Sequence, residues 1–89
     1  MIILKMDRIE GSSLLGRLVV SNKGRKLGEV ADLIFDAKSG EILHIILKNP
    51  TDYVTKLGLE KTKDGQFLVP FSAVLSIGDF IIIAEEELV

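Results

Sequence analysis

Residues 27–47, reading LGEVADLIFDAKSGEILHIIL, constrain what this chain can fold into more than any other stretch. Two apolar runs rich in β-branched residues flank the polar loop Asp36-Ala37-Lys38-Ser39-Gly40, and runs of that kind pair as strands. The loop suits a type I turn closed by a glycine bulge, because Asp36 can bond its own turn backbone and Gly40 takes the left-handed conformation without steric cost. The stretch predicts a long β-hairpin, on which the remaining chain packs or which it extends.

Within the hairpin the alternation of apolar residues breaks once. Val30 is out of phase with Leu33 and Phe35 if all three point inward, and an extra residue near Ala31 and Asp32 would restore the phase and bend the strand. On the return strand Leu43, Ile45 and Leu47 share one face and Ile42, His44 and Ile46 the other. The expected filling is Leu33, Phe35, Leu43, Ile45 and Leu47. That leaves Ile34, Ile42, His44, Ile46, Leu68 and one pair from residues 80–83 facing outward, more aliphatic surface than a small barrel shows to water. Either an apolar arm at residues 1–4 and a helix near Tyr53 cover it, or a second chain does, most simply in a two-fold dimer. The expected protein interface is therefore Ile34, Ile42, His44, Ile46 and Leu68.

The other segments are short and punctuated by turns. Residues 1–8 (MIILKMDR) read as an edge strand, an arm over a hydrophobic face, or a strand lent to a neighbour. Ser12-Ser13-Leu14-Leu15-Gly16 supports one helical turn. Residues 17–20 form a strand, and residues 21–25 a turn with Gly24 at its demanding position. After Asn49-Pro50, residues 51–58 read as a two-turn helix with an Asx or threonine cap and a glycine stop. Residues 66–70 form a strand ended by Pro70, residues 71–74 a single turn, and residues 74–77 and 79–84 two strands joined at Gly78-Asp79. Residues 85–87 are a charged end. Six short strands with tight turns predict a small antiparallel β-barrel with one short connecting helix, an open meander being the alternative. The expected organisation is an arm at 1–11, the barrel at 12–84 and an acidic tail at 85–89.

Composition narrows the function classes. With 89 residues the chain is one domain, large enough for a core but burying only about 60 to 65% of its unfolded surface. It has no cysteine, which excludes disulfides, zinc knuckles and thiol nucleophiles. No apolar run approaches the ~18 residues of a membrane-spanning helix, so the expected location is the cytoplasm. The net charge of −2 speaks against duplex nucleic acid as the main partner.

The inventory for catalysis is thin. His44 is the single histidine and lies between Ile42 and Ile46, with no second imidazole or thiol for a metal site or a triad. Glu29, Asp32 and Asp36 are the nearest approach to a carboxylate cluster, but Asp36 already has a turn role and Glu29 suits a solvent face. Neither GxxxxGK[ST] nor GxGxxG occurs. No catalytic residue, metal ligand or cofactor is expected. Arg17, Lys23, Arg25 and Lys26 gather near the first turn and are the candidate RNA contacts, yet no aromatics interleave with them to stack bases.

The order of motifs supplies more than the residues alone. Leu14-Leu15-Gly16-Arg17-Leu18-Val19-Val20, the turn ending Gly24-Arg25, Leu27-Gly28-Glu29-Val30-Ala31-Asp32-Leu33-Ile34-Phe35-Asp36, Ser39-Gly40-Glu41-Ile42 and Val69-Pro70-Phe71-Ser72-Ala73-Val74 to Gly78-Asp79 resemble the PRC-barrel family. That family includes the photosynthetic reaction centre H subunit and the C-terminal domain of the ribosome maturation factor RimM. The whole chain is similar to the stand-alone archaeal branch, some of whose members, the CdpB proteins, partner the SepF membrane anchor of the division ring and self-associate. The resemblance implies a small β-barrel and a non-enzymatic adaptor. The implied partners are a second copy and a SepF-like division protein, with recruitment to the division site. A ribosome or RNA assembly factor of the RimM kind is the alternative. The shared motifs mark turns and core, so they carry no binding residue over to this chain.

Overall fold

The computed structural model describes residues 11–88. Six strands among them form one sheet: β1 (Leu18–Ser21), β2 (Lys26–Phe35), β3 (Ile42–Lys48), β4 (Leu68–Pro70), β5 (Val74–Ile77) and β6 (Phe80–Ile83), in the order β4-β3-β2-β1-β6-β5. The small barrel of short strands is as the sequence predicts, with two refinements. β1 and β6 run parallel while the other neighbours are antiparallel. The ladder stops at β4 and β5 instead of closing. These two edge strands are consecutive in the chain and are joined by a 3-10 turn, Phe71–Ala73, whose Phe71 and Ala73 are buried against the core. The predicted arm at the N-terminus, including residues 1–4, lies outside the described residues.

The central hairpin turns as its sequence requires. The Asp36 carboxylate accepts from the N–H of Lys38 at 2.7 Å and of Ser39 at 3.1 Å, and Gly40 closes the loop with φ 75°. The predicted bulge is present: Val30 pairs with Leu47 and Asp32 with Ile46, so Ala31 is the extra residue, and Val30 and Leu33 both reach the core. A second irregularity changes the faces of β3. Ile34 pairs with His44 and Phe35 with Ile42, which leaves Leu43 without a partner on β2. Strict alternation, which assigns Leu43 inward and Ile42 outward, therefore fails beyond His44. Ile42 is only 4% exposed and belongs to the core, whereas Leu43 is 41% exposed and Phe35, at the end of β2, 49% exposed.

The core is aliphatic, with Leu14, Val19, Leu27, Val30, Ile45, Leu47, Val69, Ile81 and Ile83 fully buried. The predicted two-turn helix is instead a 3-10 helix, Asp52–Lys56. Thr51 does not cap it through its side chain; its hydroxyl donates to Lys26 O at 2.7 Å and its N–H to Leu27 O at 3.0 Å. The segment is thus tied to β2, with Val54 buried. Residues Glu85–Glu87, expected as a charged end, form a 3-10 turn in which Glu85 is buried.

Candidate protein-interaction surface

Pairing across three strands brings most of the predicted interface together. Ile34 on β2 lies beside His44 on β3, which lies beside Pro70 on β4; in the next row Asp32, Ile46 and Leu68 are neighbours. Cross-strand partners share a face of the sheet, so Ile34, His44, Ile46, Leu68 and Pro70 form one largely apolar patch, each of them partly buried. Ile42, predicted to join them, is on the inner side for the reason given by the Leu43 irregularity. Beside the patch is a groove of about 160 Å³ lined by His44, Leu68 and Pro70, by Gly58, Leu59 and Glu60, and by Leu88 from the C-terminal turn. Pockets for metabolites run to roughly 300–1,000 Å³. This one has room for a single side chain of a partner.

A second apolar surface was only partly legible. On β1 and β6 the alternation buries Val19, Ile81 and Ile83 and turns Leu18, Val20, Phe80 and Ile82 outward. Phe80 is 51% exposed. On β5 the register steps from Val74 opposite Ile83 to Ser76 opposite Ile82, so Leu75 bulges outward and is 57% exposed. The outward pair on β6 follows from its period of two; the Leu75 bulge has no sequence signal, since Val74-Leu75-Ser76-Ile77 reads as an ordinary strand. Glu29 separates the two surfaces, with Leu18 on one side and Lys48 on the other.

The predicted RNA contacts do not form a single patch. Arg17 and Lys23 lie beyond opposite ends of β1, and the Arg17 guanidinium donates to Gly78 O at 2.7 Å and Ser13 O at 3.0 Å, fastening β1 to the β5–β6 turn. The Arg25 guanidinium stacks 4.8 Å from the centroid of the Tyr53 ring. Tyr53 O–H in turn donates to Glu85 Oε1 at 2.5 Å, and Asn22 Nδ2 donates to Glu86 Oε1 at 2.9 Å. The Ser21 hydroxyl first, then Tyr53, then the charges of Lys23 and Arg25 hold the Glu85 carboxyl below its ordinary range, against the effect of its burial. Tyr53 is pushed up, chiefly by its bond to Glu85. Lys23 and Arg25 therefore face carboxylates of their own chain, and Lys26 remains exposed.

The carboxylates Glu29, Asp32 and Asp36 are each engaged locally: Glu29 accepts from Asn49 Nδ2 at 3.3 Å, Asp32 from Leu33 N–H at 2.8 Å, and Asp36 from its turn. Among the described residues no three His, Asp or Glu side chains gather as metal ligands, and no helix is long and apolar enough to cross a membrane.

Comparison with known proteins agrees with this architecture. The sequence profile of the PRC-barrel domain matches residues 6–89. The chain belongs to the PRC-barrel family. It is also similar to the uncharacterized protein MJ1118 of Methanocaldococcus jannaschii, 26% identical over 83 residues, which cover 93% of this chain and 89% of that protein. In this PRC-barrel the motif residues Gly28, Val30, Leu33, Val69, Phe71, Ala73 and Val74 are all buried, so the motifs account for bends and core. The outer patch is built mainly from residues of β3 and β4 outside them.

Proposed function

We propose that this PRC-barrel is a non-enzymatic, self-associating adaptor that binds a protein partner through the outer face of β2, β3 and β4. One observation carries the reading: Ile34, His44, Ile46, Leu68 and Pro70 form a continuous, partly exposed patch beside a groove sized for one side chain. The four apolar side chains among these are already mostly covered within the chain, so burying the remainder favours binding by at most about 1 kcal/mol apiece before the cost of association. A partner that inserts an apolar anchor into the groove and covers the patch fits this chemistry. The resemblance to the stand-alone archaeal members makes a SepF-like division anchor the first partner to test, with a cytoplasmic barrel recruited to the division site through it.

Capture on the tagged full chain from native lysate, followed by identification of the bound proteins, tests the reading. A contact centred on apolar side chains survives added salt, because screening acts on charges. Retention of a division protein through a salt wash supports the adaptor. Recovery of ribosomal proteins and RNA that leave as salt rises overturns it in favour of an assembly factor.

A further inference from the structure

The outer face of β2, β3 and β4 has an apolar middle with a carboxylate on each side. Lys61 pairs with Phe67, and the next pair of that ladder is Glu60 with Leu68, whose N–H donates to Glu60 O at 2.8 Å. The row Asp32, Ile46, Leu68 therefore ends on Glu60. Cross-strand partners share a face, so two aliphatic side chains lie between two acidic ones. Neighbouring strands are ~4.8 Å apart, which puts the two ends of the row roughly 14 Å from each other. Neither carboxylate has a cation of its own chain among the described residues. Asp32 accepts the N–H of Leu33 at 2.8 Å, and the Glu60 side chain makes no hydrogen bond or ion pair there. Lys61 is drawn instead to the Phe67 ring, its Nζ 5.0 Å from the centroid, and Lys48 lies opposite Glu29. Glu60 also lines the groove, together with Gly58, Leu59, Leu68 and Leu88. Gly58 leaves that hollow open, since a Cβ built there meets nothing within 4 Å.

We propose that this face takes a basic segment of another protein: an extended stretch with one apolar side chain between two lysines or arginines. The apolar side chain seats over Ile46 and Leu68 at the groove, and the cations meet Asp32 and Glu60. The inference rests on the adaptor reading and names the chemistry of its partner. Charge complementarity selects that chemistry, because the face offers two unpaired carboxylates on either side of an apolar strip. Five extended residues are about as long as the row, and their first, third and fifth side chains point to one side. Long cationic side chains also lay their methylenes on apolar neighbours, so the ends of the segment add contact with Ile46 and Leu68. A second copy meeting this face brings the same two carboxylates, and a nucleic acid brings phosphates. Both are repelled.

Amide NMR titration of the full chain with three end-blocked pentapeptides tests this: Lys-Ser-Leu-Ser-Lys, its acidic twin Glu-Ser-Leu-Ser-Glu, and the leucine-free Lys-Ser-Ser-Ser-Lys. The basic leucine peptide shifts the amides of His44, Ile46, Leu68 and Glu60, and the leucine-free peptide binds more weakly. Each exposed ion pair is weak, but the twins differ by two attractions and two repulsions, so the basic one binds about tenfold more tightly than the acidic one. In the double variant Asp32→Lys, Glu60→Lys the order of the twins reverses. Both positions are exposed, so the variant keeps the fold, which its amide spectrum verifies. Twins that bind the wild type alike, or an order that the double variant leaves unchanged, overturn the basic partner and leave the adaptor face standing. A leucine-free peptide that binds as tightly as the basic leucine peptide overturns the anchor between the two cations. If neither leucine peptide shifts these amides, the face holds no anchor and the adaptor reading falls with the proposal.

Discussion

Gly28 lies where β2 passes closest to the end of β3: a Cβ built there meets Lys48 O at 2.9 Å and Pro50 Cα at 3.4 Å. Both are backbone atoms that cannot swing aside, so Gly28→Ala is expected to destabilise the fold by about 1–3 kcal/mol, read as a lower urea midpoint. The neighbours Ile42 and Leu43 make a sharper test of side-chain direction. Ile42→Ala empties a core position and costs about 2–5 kcal/mol, whereas Leu43→Ala changes stability by about 0.5 kcal/mol or less. Equal effects at the two positions would contradict the Leu43 irregularity. These residues also mark what a sequence can disclose. The bulge at Ala31 was readable because Val30 breaks an otherwise regular pattern. The slip at Leu43 was not, because Ile42, Leu43, Ile45, Ile46 and Leu47 are all aliphatic and either phase buries something apolar. His44 and Ile46 precede no irregularity on their own strand, and their outward placement was readable.

At the scale of elements, the C-terminal 3-10 turn Glu85–Glu87 is fastened to the β1–β2 turn and to the 3-10 helix Asp52–Lys56 through Asn22 and Tyr53. Glu85 and Glu86 have carboxyls held below their ordinary range, Glu86 by its own backbone N–H and then by Asn22. A carboxyl whose folded pKa is depressed contributes stability that is present above its unfolded value, about 4.3, and is lost as pH falls through the folded value. The raised Tyr53 acts at the other end of the scale. Its contribution is complete below the unfolded value, about 10, and disappears as pH rises through the folded value. Urea midpoints across pH should therefore be level near neutrality and fall on both sides. Glu85→Gln should be less stable than wild type at pH 7 with a shallower acid limb, and Tyr53→Phe should flatten the alkaline limb. An acid limb unchanged in Glu85→Gln would mean that the turn is not held by that carboxylate. Sequence reading missed this clamp because three consecutive glutamates look like a solvated end; the burial of Glu85 depends on Tyr53, which is 32 residues away in the chain. The expected helix at residues 51–58 fails for a related reason, since the Thr51 hydroxyl bonds β2 instead of capping.

Across the whole molecule, a sheet of short strands curls until its two edge strands meet through Phe71–Ala73, and this small core leaves apolar side chains on the outside. They divide into two surfaces with Glu29 between them, one centred on Ile46 and one on Phe80 and Leu75. The six short strands and their places along the chain were legible from turn residues and alternation, but the parallel pairing of β1 with β6 was not, and which faces stay open depends on bulges and on distant segments. The measurement that tests the central claim most directly is the affinity of a captured partner, by calorimetry, for the wild-type chain and for Ile46→Glu. Ile46 is only partly buried and faces outward at the centre of the β2–β3–β4 patch, so the variant should keep its thermal midpoint within a few degrees. We predict that it loses binding by at least roughly tenfold, the equivalent of about 1.4 kcal/mol. A folded Ile46→Glu chain that binds its partner as tightly as the wild type would contradict the account.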